Sequence, residues 1–416
     1  MTRQLLGRLM LVFGVTVWAT VLSSLGPSWL GLSRWGAIAQ APPPMLRVAT
    51  YNTYMNRDAA GQLLRDLSTP AHPQIQAVAE IIQRVAPDVL LLQEVDYDAS
   101  GRSLQRLQDN YLSISQRGAA PINYPYRYLA PFNTGVLAPV PLSHEQPRTL
   151  IPRNRGYAEN AFGFGMFPGQ YGMALLSKYP IRTEQVRTFQ RFLWKDMPNA
   201  LLPSNPDTPE PQDWYSAEQL AVFRLSSKSH WDVPIEVGDR QLHILASHPT
   251  PPVFDGPENR NGRRNHDEIR LWADYITPGA ANYLYDDQGN RGGLPADASF
   301  VIVGDQNADP VDGDSVPGAI AQLLSHPRVN TQLTPASEGG AEAGINDDHQ
   351  GPPEHDTSSF RNGNFRLDYA LPSRDLELIN ARVFWPPSSD PFHRLVGSGD
   401  PIISSDHRLV WVDVQF

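Results

Sequence analysis

Residues 301–310 read VIVGDQNADP, an apolar run that suits a buried strand, followed at once by Asp305, Asn307 and Asp309. Carboxylates and a carboxamide at the mouth of a buried strand can hold a metal ion, activate water or hydrogen-bond an anionic substrate. Asp309 stands directly before Pro310, a position that favours a turn-forming role. Asp305 and Asn307 are therefore the residues to consider for chemistry.

Four other apolar runs carry related polar groups at one edge. Asn52 ends LRVATYN, Glu94 lies near the end of DVLLLQEVD, His248 ends LHILASH, and Asp406 and His407 open SSDHRLV. Each alone also fits a turn or a solvated strand end. As a set without any cysteine, the hard oxygen ligands suit Mg²⁺, Mn²⁺ or Ca²⁺, and the histidines can titrate near neutral pH. Phosphoester hydrolysis uses both, because metal and imidazolium stabilise the phosphoryl oxygens while water is activated.

Strands and helices must position these residues. Apolar runs predict strands at 46–52, 88–96, 172–177, 220–227, 233–237, 241–247, 300–304, 366–372 and 407–414. Apolar residues at helical spacing predict helices at 74–85 and about 265–276. The short link around Gly238 predicts a β-hairpin. Many strands with few helices between them favour an α/β fold of two mainly antiparallel or mixed β-sheets packed face to face, with helices outside, over a doubly wound parallel sheet.

The N-terminal 39 residues have the pattern of a secretory signal peptide, with Arg3 and Arg8 before an apolar stretch and a small-residue cleavage signal at Ala37-Ile38-Ala39. An uncleaved anchor is the alternative, because the apolar run is almost long enough to span a bilayer. We expect a linker at 40–45 and one domain over 46–416. Its long polar stretches, at 98–165, 190–218, 277–298 and 309–363, exceed ordinary connections and are functional rims or decorative insertions.

Charge and composition narrow the classes of function. The net charge is −10, and it becomes −13 without residues 1–39, which hold three arginines and no acidic residue. This charge argues against broad electrostatic capture of nucleic acid, although a bound divalent ion reverses the local field. The nucleophile elbow G-x-S-x-G of a doubly wound hydrolase is absent from the sequence. Export without cysteines fits a bacterial periplasmic or extracellular protein.

The ordered motifs YN, QE, ALLSK, SH, GDQNADP, LDY and SDH resemble the endonuclease/exonuclease/phosphatase superfamily of deoxyribonuclease I-like, metal-dependent phosphoesterases. The resemblance runs from about residue 46 to the C-terminus, and SHPTPP at the first histidine indicates a divergent branch. With the N-terminal segment and the absence of cysteine, we expect a secreted bacterial member. The resemblance implies a four-layered α/β sandwich with the site at one edge of two sheets. It also implies that Glu94 binds the metal, that Asn52 holds metal or phosphate, and that Asp406 lies near the metal.

The same resemblance implies the remaining catalytic roles. Asp305 would orient or deprotonate the attacking water, and Asn307 would hydrogen-bond the phosphate. His407, oriented by Asp368, would pair with the phosphate, and His248 is a candidate general acid. A buried His–Asp pair fixes the histidine tautomer and raises its pKa, so that the ring can stay cationic beside phosphate.

Three further residues are candidates to contact the substrate. Tyr171 lies one residue later than the tyrosine expected before the ALLS-like strand. Arg264 opens a predicted helix, where a solvated helix end is the alternative. Lys228 belongs to RLSSKSH, where it alternates with Arg224 and His230 on one face of a predicted strand; a phosphate contact and an exposed face stay open.

The sequence thus predicts an exported, divalent-metal-dependent phosphoesterase, with Mg²⁺ as the first choice of metal and Mn²⁺ or Ca²⁺ as alternatives. A nucleic acid, a lipid headgroup as in sphingomyelinases, or a small phosphoester remain open as substrates. A catalytically silent binding protein of the same fold is the less favoured alternative, because the acids and both histidines are present. We expect a monomer without a stable protein partner.

Overall fold

The computed structural model describes residues 45–346, 350–398 and 401–416. The predicted signal segment at 1–39 and the linker up to residue 44 lie outside these ranges. Within them, no helix is both long enough and apolar enough to span a bilayer.

The first sheet combines strands from both ends of the chain. Its members are β1 (Leu46–Asn52), β2 (Val89–Val95), β3 (Tyr126–Tyr128), β4 (Gly172–Ser177), β12 (Glu377–Val383) and β13 (Val410–Gln415). Their order in space is β12–β13–β1–β2–β4–β3. Strands β1 and β2 pair in parallel, whereas β13 runs antiparallel to β1. The sheet is therefore mixed, and β1 and β2 end at the same edge.

The second sheet is built from the middle of the chain. Its members are β5 (Arg187–Thr188), β6 (His230–Val237), β7 (Arg240–Ser247), β8 (Ser299–Asp305) and β11 (Asp368–Pro372), in the order β11–β8–β7–β6–β5. Gly238 has a positive φ in the tight turn between β6 and β7, which pair antiparallel as the predicted hairpin. Strands β7 and β8 pair in parallel. A small separate hairpin consists of β9 (Ser358–Phe360) and β10 (Gly363–Phe365).

Two long helices, α2 (Pro73–Val85) and α6 (Arg260–Ile276), follow β1 and β7 and make the crossovers that parallel pairing requires. The other helices are short: α1 (Gln62–Asp66), α3 (Arg102–Leu107), α4 (Arg155–Ala158), α5 (Ala217–Leu220), α7 (Ala321–Leu324) and α8 (Glu338–Ala343). A π-helical turn covers Gln108–Leu112. Single 3₁₀ turns cover Thr183–Gln185, Trp194–Asp196, Ala280–Tyr283, Gly344–Asn346, Pro353–His355 and Pro391–Leu395.

Three apolar clusters define four layers. The central cluster joins the facing sides of the sheets, with Val48 and Leu91 from the first and Ile244 and Val303 from the second. On the outer face of the first sheet, the apolar stripe of α2 is buried; on the outer face of the second, α6 buries its own stripe, including Trp272. The order helix, sheet, sheet, helix confirms the predicted four-layered α/β sandwich.

The strand predicted at 220–227 is wrong. Helix α5, which begins at Ala217 after a capping box formed by Ser216 and Gln219, ends at Leu220, and the chain then continues irregularly to β6. Arg224 lies over the ring of Phe162, so the predicted alternation with Lys228 and His230 on one strand face does not exist. Among the described residues this segment pairs only through an isolated bridge between Leu193 and Arg224, and its apolar Phe223 and Leu225 are buried in the cluster around α6 without a continuous strand partner.

Other differences concern polar segments. Helix α6 begins five residues before the predicted start, because its first turns bury polar side chains that show no apolar stripe. These are Arg264, Asn265, Asp267 and Glu268. Strand β12 was not predicted, since this edge strand alternates buried and exposed positions irregularly across a bulge.

The buried His230 predicts a pH-dependent stability. Its Nε2 lies 2.9 Å from the Glu268 carbonyl oxygen and its Nδ1 lies 2.7 Å from the Ser226 hydroxyl, and burial lowers its pKa to about 4. Below pH 6.5 this histidine binds a proton in the unfolded chain but stays neutral in the folded protein. The folded state therefore loses stability relative to the unfolded state as the pH falls from 6.5 to about 4. We expect the free energy of unfolding to fall by about 1.4 kcal/mol per pH unit from this group.

Urea unfolding at pH 7, 6 and 5 of the wild type and of His230→Gln measures this slope. The variant should show a flatter decline, because its amide does not titrate. Equal slopes in the two proteins would contradict a neutral buried His230.

Candidate active site

The candidate site lies where neighbouring edges of the two sheets meet. Asn52 ends β1 in the first sheet, whereas Asp305 ends β8 in the second. Asp368 begins β11 and is paired in register with Asp305, so both carboxylates reach the same edge. Gly304 has a φ of 150°, and a Cβ there would lie 2.0 Å from the Ser247 carbonyl oxygen. Glycine is therefore required directly before Asp305.

The carboxylate of Asp305 is buried at the centre of the site. Its Oδ2 accepts a hydrogen bond from Asn52 Nδ2 at 3.1 Å and lies 3.4 Å from His248 Nε2 and 3.7 Å from His407 Nε2. Its Oδ1 accepts from the backbone N–H of Asn307 at 2.9 Å. Burial raises the pKa of Asp305 to about 7, against the opposing effect of His407. A carboxylate with this pKa is suited to exchange a proton with water near neutral pH.

His407 and Asp368 form a buried pair. His407 Nδ1 donates to Asp368 Oδ2 at 2.8 Å, and the same oxygen accepts from Thr357 Oγ1 at 2.8 Å. Burial alone would lower the pKa of His407, but Asp368 and Asp305 outweigh it and raise the pKa to about 10. The ring is therefore an imidazolium at neutral pH, with its Nε2 side directed toward Asp305 and the cavity.

His248 is the electrostatic opposite. Burial, followed by the charges of Lys228 and His407, lowers its pKa well below the ordinary value. Its Nδ1 is buried without a hydrogen-bond partner among the described residues. A neutral imidazole can accept or donate a hydrogen bond, but it carries no extra proton to release. This environment favours a hydrogen-bonding role over the predicted general acid, for which no partner group at Nδ1 is in place.

Glu94 and Asp406 supply carboxylates to the same cavity. Glu94 has a φ of 55° at a bulge of β2, and its Oε2 accepts from Asn56 Nδ2 at 2.7 Å. Burial and then the charge of Asp406 raise the pKa of Glu94. Two acids that repel each other in a buried site fit a divalent cation, which would relieve the repulsion. With Asn52 beside them, they make the hard oxygen set that Mg²⁺ prefers.

Asp305, Asp368 and His407 also place ligand atoms within 4.8 Å of one another, all buried. However, His407 Nδ1 and Asp368 Oδ2 already bond to each other. An ion there would have to displace this bond, so the group is better suited to orient an imidazolium than to bind metal.

The remaining predicted residues also reach the site. Tyr171, Lys228, Arg264 and Asn307 all line one cavity of about 1010 Å³, together with Glu94, His248, Asp305, Asp406 and His407. Lys228 is buried, and its Nζ reaches the Pro249 carbonyl oxygen at only 3.5 Å. Arg264 instead donates to the carbonyl oxygens of Leu225, Phe162 and Arg224, which favours a structural role for it.

The structure thus brings together all eleven side chains that the sequence singled out, while their individual roles stay predictions. Asp309 accepts from the N–H groups of Val311, Asp312 and Arg366, which agrees with its predicted turn role.

Sequence reasoning missed the residues that hold these groups in place. Glu268 of α6 accepts from the N–H of Ser227 and of Thr250, both at 2.6 Å, and so anchors the segments that carry Lys228 and His248. Thr357 supports Asp368, and Asn56 supports Glu94. Asn56 lies 38 residues from Glu94, and Glu268 lies 41 and 18 residues from Ser227 and Thr250, so no local pattern marks them.

A family model described as endonuclease/exonuclease/phosphatase family matches residues 49–407. The chain belongs to this family. A match over this range contains every candidate site residue, from Asn52 to His407, and the family generally hydrolyses phosphoester bonds. No curated protein matches the chain.

Several solved structures resemble the chain at low identity. An endonuclease/exonuclease/phosphatase from Beutenbergia cavernae is 18% identical, with a TM-score of 0.47, over 89% of this chain and 72% of that one. The beta toxin of Staphylococcus aureus is 16% identical, with a TM-score of 0.43, over 88% and 99% of the two chains. Sphingomyelinase C from Streptomyces griseocarneus is 15% identical, with a TM-score of 0.41, over 89% and 99%.

The oxygen ligand set predicts metal binding by this family member. We expect Glu94→Gln and Asp406→Asn each to weaken Mn²⁺ binding to the full chain by at least about tenfold, because each removes a charged hard ligand. Isothermal titration calorimetry at pH 7.5 measures the dissociation constants. Glu184→Gln is the control, since Glu184 is exposed and does not line the cavity. Unchanged affinity in both site variants would place the metal elsewhere.

Proposed function

We propose that this protein is an exported, divalent-metal-dependent phosphoesterase that cleaves phosphodiester or phosphomonoester bonds by attack of water on phosphorus. One observation carries the proposal: a carboxylate with a near-neutral pKa, Asp305, lies within 4 Å of an imidazolium, His407, in a cavity that also holds Glu94 and Asp406. Family membership supports the reaction class.

Each side chain has a separate role in the proposed hydrolysis. Asp305 holds the attacking water and accepts its proton. His407, kept charged by Asp368, donates a hydrogen bond from Nε2 to a phosphoryl oxygen and stabilises the developing negative charge. The side chain of Asn307 donates to the Pro249 carbonyl oxygen at 3.2 Å, so it supports the wall of the site and would turn to reach phosphate.

A metal ion held by Glu94 and Asp406, with the Asn52 side chain beside them, would polarise the phosphoryl group when it is bound. Burial lowers the pKa of Lys228, against the raising effects of Glu268, Glu94 and Asp305, and its side chain has no close ion pair among the described residues. It is available to the bridging or leaving oxygen of the ester. Mg²⁺ is the metal that we propose first, with Mn²⁺ and Ca²⁺ as alternatives.

The sequence of residues 1–39 supports export to the periplasm or the extracellular space, and we propose that the protein acts there as a monomer. A nuclease and a sphingomyelinase-like phospholipase are both diesterases, and a phosphatase is not. Comparing diester with monoester turnover therefore distinguishes these subclasses first.

The test is hydrolysis of bis(p-nitrophenyl) phosphate and p-nitrophenyl phosphate by the full chain, with Mg²⁺, Mn²⁺ or Ca²⁺ and with EDTA. We expect turnover that EDTA abolishes. His407→Ala should lower kcat by at least about 10³-fold, because it removes an electrostatic donor in a water-poor site. His393→Ala is the matched control, since its ring does not line the cavity.

Metal-independent turnover, or a His407→Ala variant as active as the control, would contradict the mechanism. Tight binding of substrate without turnover in any metal would favour the catalytically silent alternative.

A further inference from the structure

The lining of the cavity includes a set of apolar side chains that the proposed mechanism does not use, beside polar residues of the same segments. We call the region that they line the apolar arm. Its walls are Leu142, Ala158, Met166, Trp214, Tyr215, Phe223, Pro251 and Val253. The arm belongs to the same continuous cavity as Asp305 and His407, so a molecule whose phosphate occupies the site can place its organic part there.

The positively charged residues around the cavity can neutralise only one phosphate. Its positively charged residues are Arg155, Lys228, Arg260, Arg264 and His407. Arg155 pairs with Glu159, and Arg260 pairs with Glu258.

The third arginine, Arg264, donates hydrogen bonds from its guanidinium to backbone carbonyl oxygens. Lys228 and the His407 imidazolium are left as available cations, and the proposed mechanism uses both on one phosphoryl group. Seven acidic residues line the same walls: Glu94, Glu145, Glu159, Asp305, Asp309, Asp314 and Asp406. Away from the proposed metal ligands Glu94 and Asp406, a second phosphate would therefore meet acidic side chains and no unpaired cation among the described lining residues.

The aromatic rings of the arm are already packed against one another. His144 stacks on Trp214 with ring centroids 4.5 Å apart and an angle of 16° between the rings. Tyr215 and Phe223 pack at 4.7 Å. These contacts cover one face of Trp214 and pack Tyr215 against Phe223. The aliphatic groups of Leu142, Met166 and Val253, which line the same cavity, suit a flexible hydrocarbon chain.

The mouth of the cavity is also apolar. Phe164 and Phe254 line it and are 50% and 87% exposed. Ile151, which is 69% exposed, lies two residues before Arg153, whose N–H donates to the carbonyl oxygen of Met166 in the arm. Large apolar side chains exposed together around a cavity mark a ligand-binding surface.

We propose that the apolar arm is a subsite for a long alkyl substituent of an ester that contains a single phosphate. The proposal rests on the function proposed above, which supplies the phosphoryl site. Burying each methylene of the substituent favours binding through the hydrophobic effect. The substrate is then an amphiphilic phosphoester, whereas a polynucleotide would bring further phosphates to an acidic wall.

The first experiment measures binding without turnover. Octyl phosphate and inorganic phosphate are titrated into the full chain in EDTA, with thymidine dinucleotide as a third ligand. We expect octyl phosphate to bind at least tenfold more tightly than inorganic phosphate and the dinucleotide to gain no such advantage. Trp214→Ala and Val253→Asp should each reduce the octyl advantage at least fivefold. Ile379→Ser, an exposed residue of β12 that does not line the cavity, should retain it.

The second experiment compares turnover of methyl and octyl p-nitrophenyl phosphate, which share one leaving group. We expect kcat/KM to be at least tenfold higher for the octyl ester, with that ratio reduced in Trp214→Ala. Octyl preference in binding but no turnover of either ester would overturn the proposed function and leave the subsite standing. Turnover of both esters at equal kcat/KM, with no octyl advantage in binding, would overturn the subsite alone.

Discussion

Two hydrogen bonds between the sheets define this site. Asn52 at the end of β1 bonds to Asp305 of the second sheet, and His407, just before β13 of the first sheet, bonds to Asp368 at the start of β11. All four side chains are almost completely buried. Because buried polar groups left without partners are costly, the edges of the two sheets can meet here only if these partners face one another. Stability and chemistry therefore depend on the same contacts.

The local charges follow from this geometry. Asp368 and Asp305 outweigh burial and raise the pKa of His407, so that ring stays charged. Burial, followed by the charges of Lys228 and His407, lowers the pKa of His248 and keeps it neutral, although its Nε2 lies 3.4 Å from Asp305. The balance between burial and nearby charges thus gives the two histidines opposite states, so that one site holds both an electrostatic donor and a neutral partner. The remaining carboxylates, Glu94 and Asp406, repel each other, and this repulsion is the physical reason to place a divalent ion beside them.

The sequence alone predicted the site residues that lie at strand ends, because an apolar run next to Asn52, Asp305 or His407 is a local pattern. It failed where a contact joins distant segments. Glu268 of α6 accepts hydrogen bonds from two loops. The first turns of this helix bury polar residues, so no periodic apolar pattern in the sequence indicates these contacts. The segment at 220–227 looked like a strand, but its environment is set by α5 and by the apolar arm. The arm itself is assembled from insertions far apart in the chain.

The most direct test of the central claim is a double-mutant cycle between Asp368 and His407. The quantity measured is kcat/KM for hydrolysis of a phosphodiester in the presence of the divalent metal. If Asp368 acts through His407, the double variant Asp368→Asn/His407→Ala should be no less active than His407→Ala alone, because the second change removes the partner of the first. The single variant Asp368→Asn should lose at least about 10²-fold, since its amide no longer stabilises the imidazolium. Multiplicative losses in the double variant would show that the two residues act independently and would contradict the account.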